Sequence, residues 1–85
     1  MKVYKPTPDE IKATHGWNSW SKEPSVFPWY YDEKETCYIL EGEAKVKDDK
    51  GNEIYFTVGD MVEFPVGLAC EWNIIRAIRK KYKFG

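Results

Sequence analysis

Histidine is nearly absent from this chain: His15 is the only one in 85 residues. Imidazole metal centres gather several ligands, so a lone histidine beside the end of a short helix reads as a surface residue. Cysteine is almost as scarce. Cys37 and Cys70 are too few for a disulfide scaffold, and the expectation is two reduced thiols in a cytoplasmic protein. Net charge is missing too, with thirteen basic residues against fourteen acidic ones. That balance argues against nucleic acid as a partner. No apolar run reaches the length of a membrane span, so no membrane partner is expected. The opening Met1-Lys2-Val3-Tyr4-Lys5-Pro6 lacks the apolar centre of a signal peptide.

Aromatic rings are abundant, at 16% of residues, with four Trp, six Tyr and four Phe. Each buries a large apolar area, which suits a small chain that must stabilise itself with one modest core. Length indicates a single domain over 1–85, with a strand, helix and irregular segment over 1–25 and the main body over 26–85.

Along the chain, residues 2–5 suit a short edge strand. Thr7-Pro8-Asp9-Glu10 carries a helix start: a Thr cap, Pro where its missing N–H does no harm, and Glu three residues after the cap. That helix is expected over 8–14, stopping at Gly16. Trp17–Lys22 reads as a strand whose tryptophans cover the domain. Pro24 and Pro28 make 23–28 an irregular or edge segment, and Trp29-Tyr30-Tyr31 is extended. Glu35 to Gly42 (Glu-Thr-Cys-Tyr-Ile-Leu-Glu-Gly) reads as a buried strand led by a carboxylate. A carboxylate facing inward needs a partner. Ala44 and Val46, then Ile54, Phe56 and Val58, alternate with polar neighbours around Asp48–Asn52, the pattern of a β-hairpin. Met61–Phe64 is a short strand ended by Pro65-Val66-Gly67, read as a type I turn. Cys70, Trp72 and Ile74 share one face of the next strand. Over 77–84, Ile78, Tyr82 and Phe84 lie opposite Arg79, Lys81 and Lys83. Seven to eight short strands and one N-terminal helix indicate an all-β fold, a sandwich or a barrel. A small barrel is the economical choice because closure removes exposed edges.

These residues resemble the cupins. Glu35 followed after six residues by Gly42 is similar to the second half of the first cupin motif. Gly59-Asp60, Pro65-Val66-Gly67 and Cys70 are similar to the second. Within this RmlC-like superfamily the chain looks most like the small single-domain members related to the C-terminal half of ureidoglycine aminohydrolase. The resemblance implies a jelly-roll β-barrel and a metal held by one glutamate and three histidines. Only Glu35 is retained. The two leading histidine positions fall on Trp29 and Tyr31, or on Pro28 and Tyr30, and the later one falls on Cys70. A degenerate metal site follows, with no cofactor expected. Any divalent metal (zinc, manganese or nickel) would have to use Glu35, Cys37 and Cys70, a weak set of mixed softness.

What remains is a barrel mouth holding Trp29, Tyr31, Glu35, Cys37, Cys70 and Trp72 that could bind a small polar or sugar-like molecule. In that reading Cys70 and Trp72 form the wall opposite Trp29 and Tyr31. The alternative is a hydrolase or isomerase on a small polar metabolite, by likeness to ureidoglycine aminohydrolase, with Glu35 as acid or base. A third reading is a structural module whose rings plug the barrel, as interiors of small barrels are commonly filled. There Glu35 would be satisfied by a tyrosine hydroxyl or an indole N–H, and an outer face would pair in a homodimer. Redox pairing of Cys37 with Cys70 is the least favoured chemistry, since burial blunts thiols. The basic run Arg76, Arg79, Lys80, Lys81 and Lys83 reads as a solvated strand whose charges discourage edge pairing.

Overall fold

The computed structural model describes all of residues 1–85. Strand β1 (Lys2–Tyr4) leads to helix α1 (Pro8–Ala13), a 3-10 turn (Thr14–Gly16), β2 (Asn18–Lys22), β3 (Ser25–Tyr30), β4 (Glu35–Asp48), β5 (Glu53–Thr57), β6 (Met61–Phe64) and β7 (Ala69–Phe84). The helix starts as its residues dictate. Glu10 N–H donates to Thr7 Oγ1 at 3.2 Å, and Thr7 N–H donates to Glu10 Oε1 at 2.9 Å, a reciprocal capping box.

Two long strands carry the fold. β4 and β7 pair antiparallel along nearly their whole length. The far edge of β4 takes β6 against residues 35–38 and β5 against 43–47. The far edge of β7 takes β3 against 69–74 and β2 against 78–82. β1 then extends β6. All seven strands form one antiparallel sheet that rolls around its apolar face as a small β-barrel. The segment holding Pro28 is a strand rather than irregular, and it lies at an edge, where a residue without an N–H is tolerated.

The roll depends on the middle of β4. The register against β7 shifts repeatedly between Ile39 and Ala44. Side chains of Glu35, Cys37 and Ile39 are buried before the shift, and those of Ala44 and Val46 after it. An irregularity of this kind bends the strand and changes which alternate residues face inward. Gly42 sits in it with φ +90°, and a Cβ there would collide with the carbonyl of Ala77. β7 keeps one parity, so Trp72, Ile74, Ile78 and Lys80 all face the interior.

The core is aromatic. Tyr31 stacks on Phe64 with centroids 4.7 Å apart, and Phe56 meets Trp72 edge to face at 5.5 Å. Trp72 Nε1–H donates to Tyr31 Oη at 3.1 Å, so both polar tips are satisfied inside the core. The backbone of Tyr31 also fastens the turn after β6: its N–H donates to Leu68 O and its carbonyl accepts from Gly67 N–H at 2.7 Å. Gly67 has φ +83°, which a type I turn does not use at its central residues and a type II turn does at the second of them.

Candidate functional site

Glu35 opens β4 on its inward face, and burying its carboxylate requires an opposite charge. Lys80 supplies it. Register places Lys80 opposite Ile39 on β4 and Trp20 on β2. From there its side chain reaches past Cys37 to Glu35. Lys80 Nζ lies 2.6 Å from Glu35 Oε2 and 3.5 Å from Cys37 Sγ. The thiol of Cys37 donates to the same Oε2 at 2.8 Å. Three rings frame the ammonium, with Trp20 and Trp72 centroids each 4.9 Å away and that of Tyr82 5.6 Å away. Cation–π attraction to their faces adds to the ion pair.

Lys80 is thus not part of a solvated basic strand, and neither a tyrosine hydroxyl nor an indole N–H satisfies Glu35. The signal was present in the chain. Lys80 shares parity with Ile78 and Tyr82, which alternation alone assigns to one face.

Burial works against the charge of Lys80, but the facing Cys37 and Glu35 outweigh it and raise the amine above its ordinary value. A lysine nucleophile needs the opposite shift; the 2.6 Å contact with Glu35 and the raised amine both favour Lys80 as a charged donor. Burial pushes the Cys37 thiol well up, and burial together with the Glu35 charge does the same to the Tyr31 phenol. Both keep their protons at neutral pH.

The pair forms the base of a cleft of about 220 Å³. Trp20, Phe27, Trp29, Tyr31 and Trp72 line it, together with Tyr82 and Phe84 near the end of β7. Phe27 stacks parallel to Trp72 at 6.1 Å. Trp29 and Phe84 are each about half exposed, at 51% and 49%, and stand at the mouth.

The sequence-expected residues separate at this point. Trp29, Tyr31, Glu35 and Trp72 line the cleft, while Cys37 is buried against the Glu35–Lys80 pair and is not among the lining residues. Cys70 is elsewhere. It borders a shallow polar groove with Lys47, Asp48, Asp49 and Glu71, and its thiol approaches the carbonyl of Trp29 at 3.6 Å. Cys70 therefore does not form the wall opposite Trp29. The two thiols are unpaired.

A metal fits this donor set poorly. Glu35, Cys37 and Cys70 do not come together as a three-ligand group. The space against Glu35 Oε2 is taken by a lysine ammonium, which holds a positive charge there already and would repel a cation.

Known proteins share this fold. A DUF861 family protein from Thermotoga maritima is 44% identical, with a TM-score of 0.96 over 99% of this chain and 98% of that one. The EutQ protein of Clostridium difficile shares the fold at 18% identity and a TM-score of 0.71, over 78% of this chain and 52% of its own length. A structural-genomics protein of unknown function from Rhizobium leguminosarum does so at 14% identity and a TM-score of 0.68, over 99% of this chain and 97% of that one. No curated protein matches the sequence. No helix is long and apolar enough to cross a membrane. The family model of the EutQ-like cupin domain matches residues 11–82, and the chain belongs to that family.

Proposed function

We propose that this cupin domain binds a small polar molecule in the aromatic cleft, without a metal. One observation carries the reading: two opposite charges, their side chains only 5% and 7% exposed, sit at the base of a cleft walled by rings. An ion pair removed from water contributes little net stability. An apolar pair would fill the same space at no desolvation cost, which favours a role for the charges in holding a ligand. Trp29 and Tyr31 pack against the ligand, with Trp72 beside Tyr31, and Glu35 and Lys80 anchor its polar end.

The enzymatic form of this reading is a hydrolase or isomerase in which Glu35 handles a proton. The ammonium beside it favours this form, because a carboxylate and a charged amine in contact can accept and donate at one spot.

A thermal-shift screen against small acids, amides, sugars and ureides tests the proposal. A ligand at 100 times its dissociation constant stabilises the fold by ~2.7 kcal/mol. Stabilisation that is lost on Trp29→Ala, at the mouth, supports the cleft. A broad library with no stabilising compound would leave the filled, structural module as the better account.

A further inference from the structure

Resting on the cleft just proposed, we infer that the Glu35–Lys80 pair selects a neutral, flat molecule bearing a carbonyl oxygen beside an N–H, as a primary or cyclic amide does.

The unused hydrogen-bonding capacity of the pair points there. A lysine ammonium has three N–H groups. One is directed to Glu35 Oε2 and one to Cys37 Sγ, which leaves one. Glu35 Oε2 accepts from both Lys80 and Cys37, whereas Oε1 accepts from neither. No buried side-chain nitrogen or oxygen in the protein lacks a partner. Oε1, which has none, is therefore open to the cleft that Glu35 lines.

Glu35 and Lys80 both line the cleft, so its base offers an open carboxylate oxygen and an ammonium with one N–H not taken by Glu35 or Cys37, on groups of opposite charge. An anionic ligand satisfies Lys80 but meets the Oε1 lone pairs. A cationic ligand satisfies Glu35 but meets the ammonium. Like-charge contacts of this kind are what binding sites use to reject a partner. A neutral carbonyl with an adjacent N–H satisfies both groups and leaves neither charge unpaired. Flatness follows from the walls, since rings make up most of the lining and offset stacking on a ring face suits a planar guest. At about 220 Å³ the space is below the ~300–1,000 Å³ of drug-sized sites, so the guest is small.

Benzamide, benzoate and benzamidinium isolate the claim, because they share a ring and differ in the head: amide, anion, cation. Their affinities are measured at pH 7 by NMR titration of the indole N–H signals. Benzamide is expected to bind roughly tenfold more tightly than either charged analogue, the worth of one hydrogen bond to a charged group. The double variant Glu35→Gln with Lys80→Met removes both charges together, and there the preference is expected to vanish. Benzoate or benzamidinium binding as well as benzamide would overturn the selection while leaving the cleft intact. So would three silent analogues beside other fragments that do move the indole signals. Silence from every compound would overturn the selection and the cleft together.

Discussion

Lys80 Nζ stands 2.6 Å from Glu35 Oε2, across 45 residues of chain, with both side chains almost fully buried. A glutamate at the start of one long strand and a lysine near the end of the other meet because β4 and β7 run antiparallel in register. The interior of this barrel therefore holds one internal salt, neutral in sum.

Breaking that pair on one side is expected to be costly. Lys80→Met leaves an uncompensated carboxylate, and Glu35→Gln leaves an uncompensated ammonium, each at ~3–5 kcal/mol. The double variant is expected to regain most of the loss, because neither charge remains. Urea denaturation of the four proteins of the cycle checks this. Additive losses in the double variant would mean that the two groups do not interact.

Tyr31→Phe is expected to destabilise by ~1–3 kcal/mol, because the buried Trp72 Nε1–H loses its acceptor. Trp72→Phe removes the donor instead and leaves a space, so its cost is expected to come mainly from the cavity. Thermal denaturation reads both, at about 4–8 °C per kcal/mol for a domain of this size.

Gly42→Ala is expected to fail or to fold poorly. The backbone there has φ +90°, and the added methyl would meet the Ala77 carbonyl, which the long β4–β7 pairing holds in place. The left-handed backbone alone costs ~1–3 kcal/mol in a non-glycine residue. Gly51, also at positive φ but with open space around its Cβ position, serves as the control. Its alanine variant is expected to lose only the backbone part.

Alkaline pH is expected to remove stability. Burial raises the Cys37 thiol above its ordinary 9.0, and burial raises the Tyr31 phenol above 10.0. Lys80 also ends above its ordinary 10.5, since Cys37 and Glu35 outweigh the burial that opposes its charge. Each group keeps its proton in the folded protein at a pH where the unfolded chain has released it. Their contribution is full below about pH 9 and shrinks as pH rises through the folded values. Urea midpoints from pH 7 to 11 check the direction, and Cys37→Ala should shrink the early loss without abolishing it, because Cys70 is raised from the same ordinary value.

The two thiols are expected to react at different stages. Burial, with Asp48 nearby, pushes Cys70 up to about 11, yet it remains partly exposed. Cys37 has no exposed surface. A disulfide reagent at pH 8 should label Cys70 slowly in the native protein and Cys37 only after unfolding. Two equally fast thiols would contradict the burial of Cys37.

Much of the scaffold could be read directly from the residues, because its signals are local. The capping box from Thr7 to Glu10 is complete within four residues. The alternation of Ala44 and Val46 with Ile54 and Phe56 identifies a hairpin before any partner strand is known. The spacing from Glu35 to Gly42 points to the family because a sharp bend near the middle of the roll needs a residue without a side chain. Short-range pattern is enough for such features, since each depends on neighbours in the chain.

The site obeyed a different logic. An inward carboxylate at Glu35 was legible, but its partner was not, because parity places Lys80 on a face without saying which strand that face meets. Only the register of β7 between β4 and β2 brings Lys80 to Glu35, Trp20 and Trp72. The same pairing sends Cys70 to the opposite end of β4, beside Asp48, and out of the cleft. Residue pattern alone defines a small all-β cupin with a buried acid; what neutralises that acid is set by long-range strand pairing, which chooses the side chains that share the interior regardless of local preference.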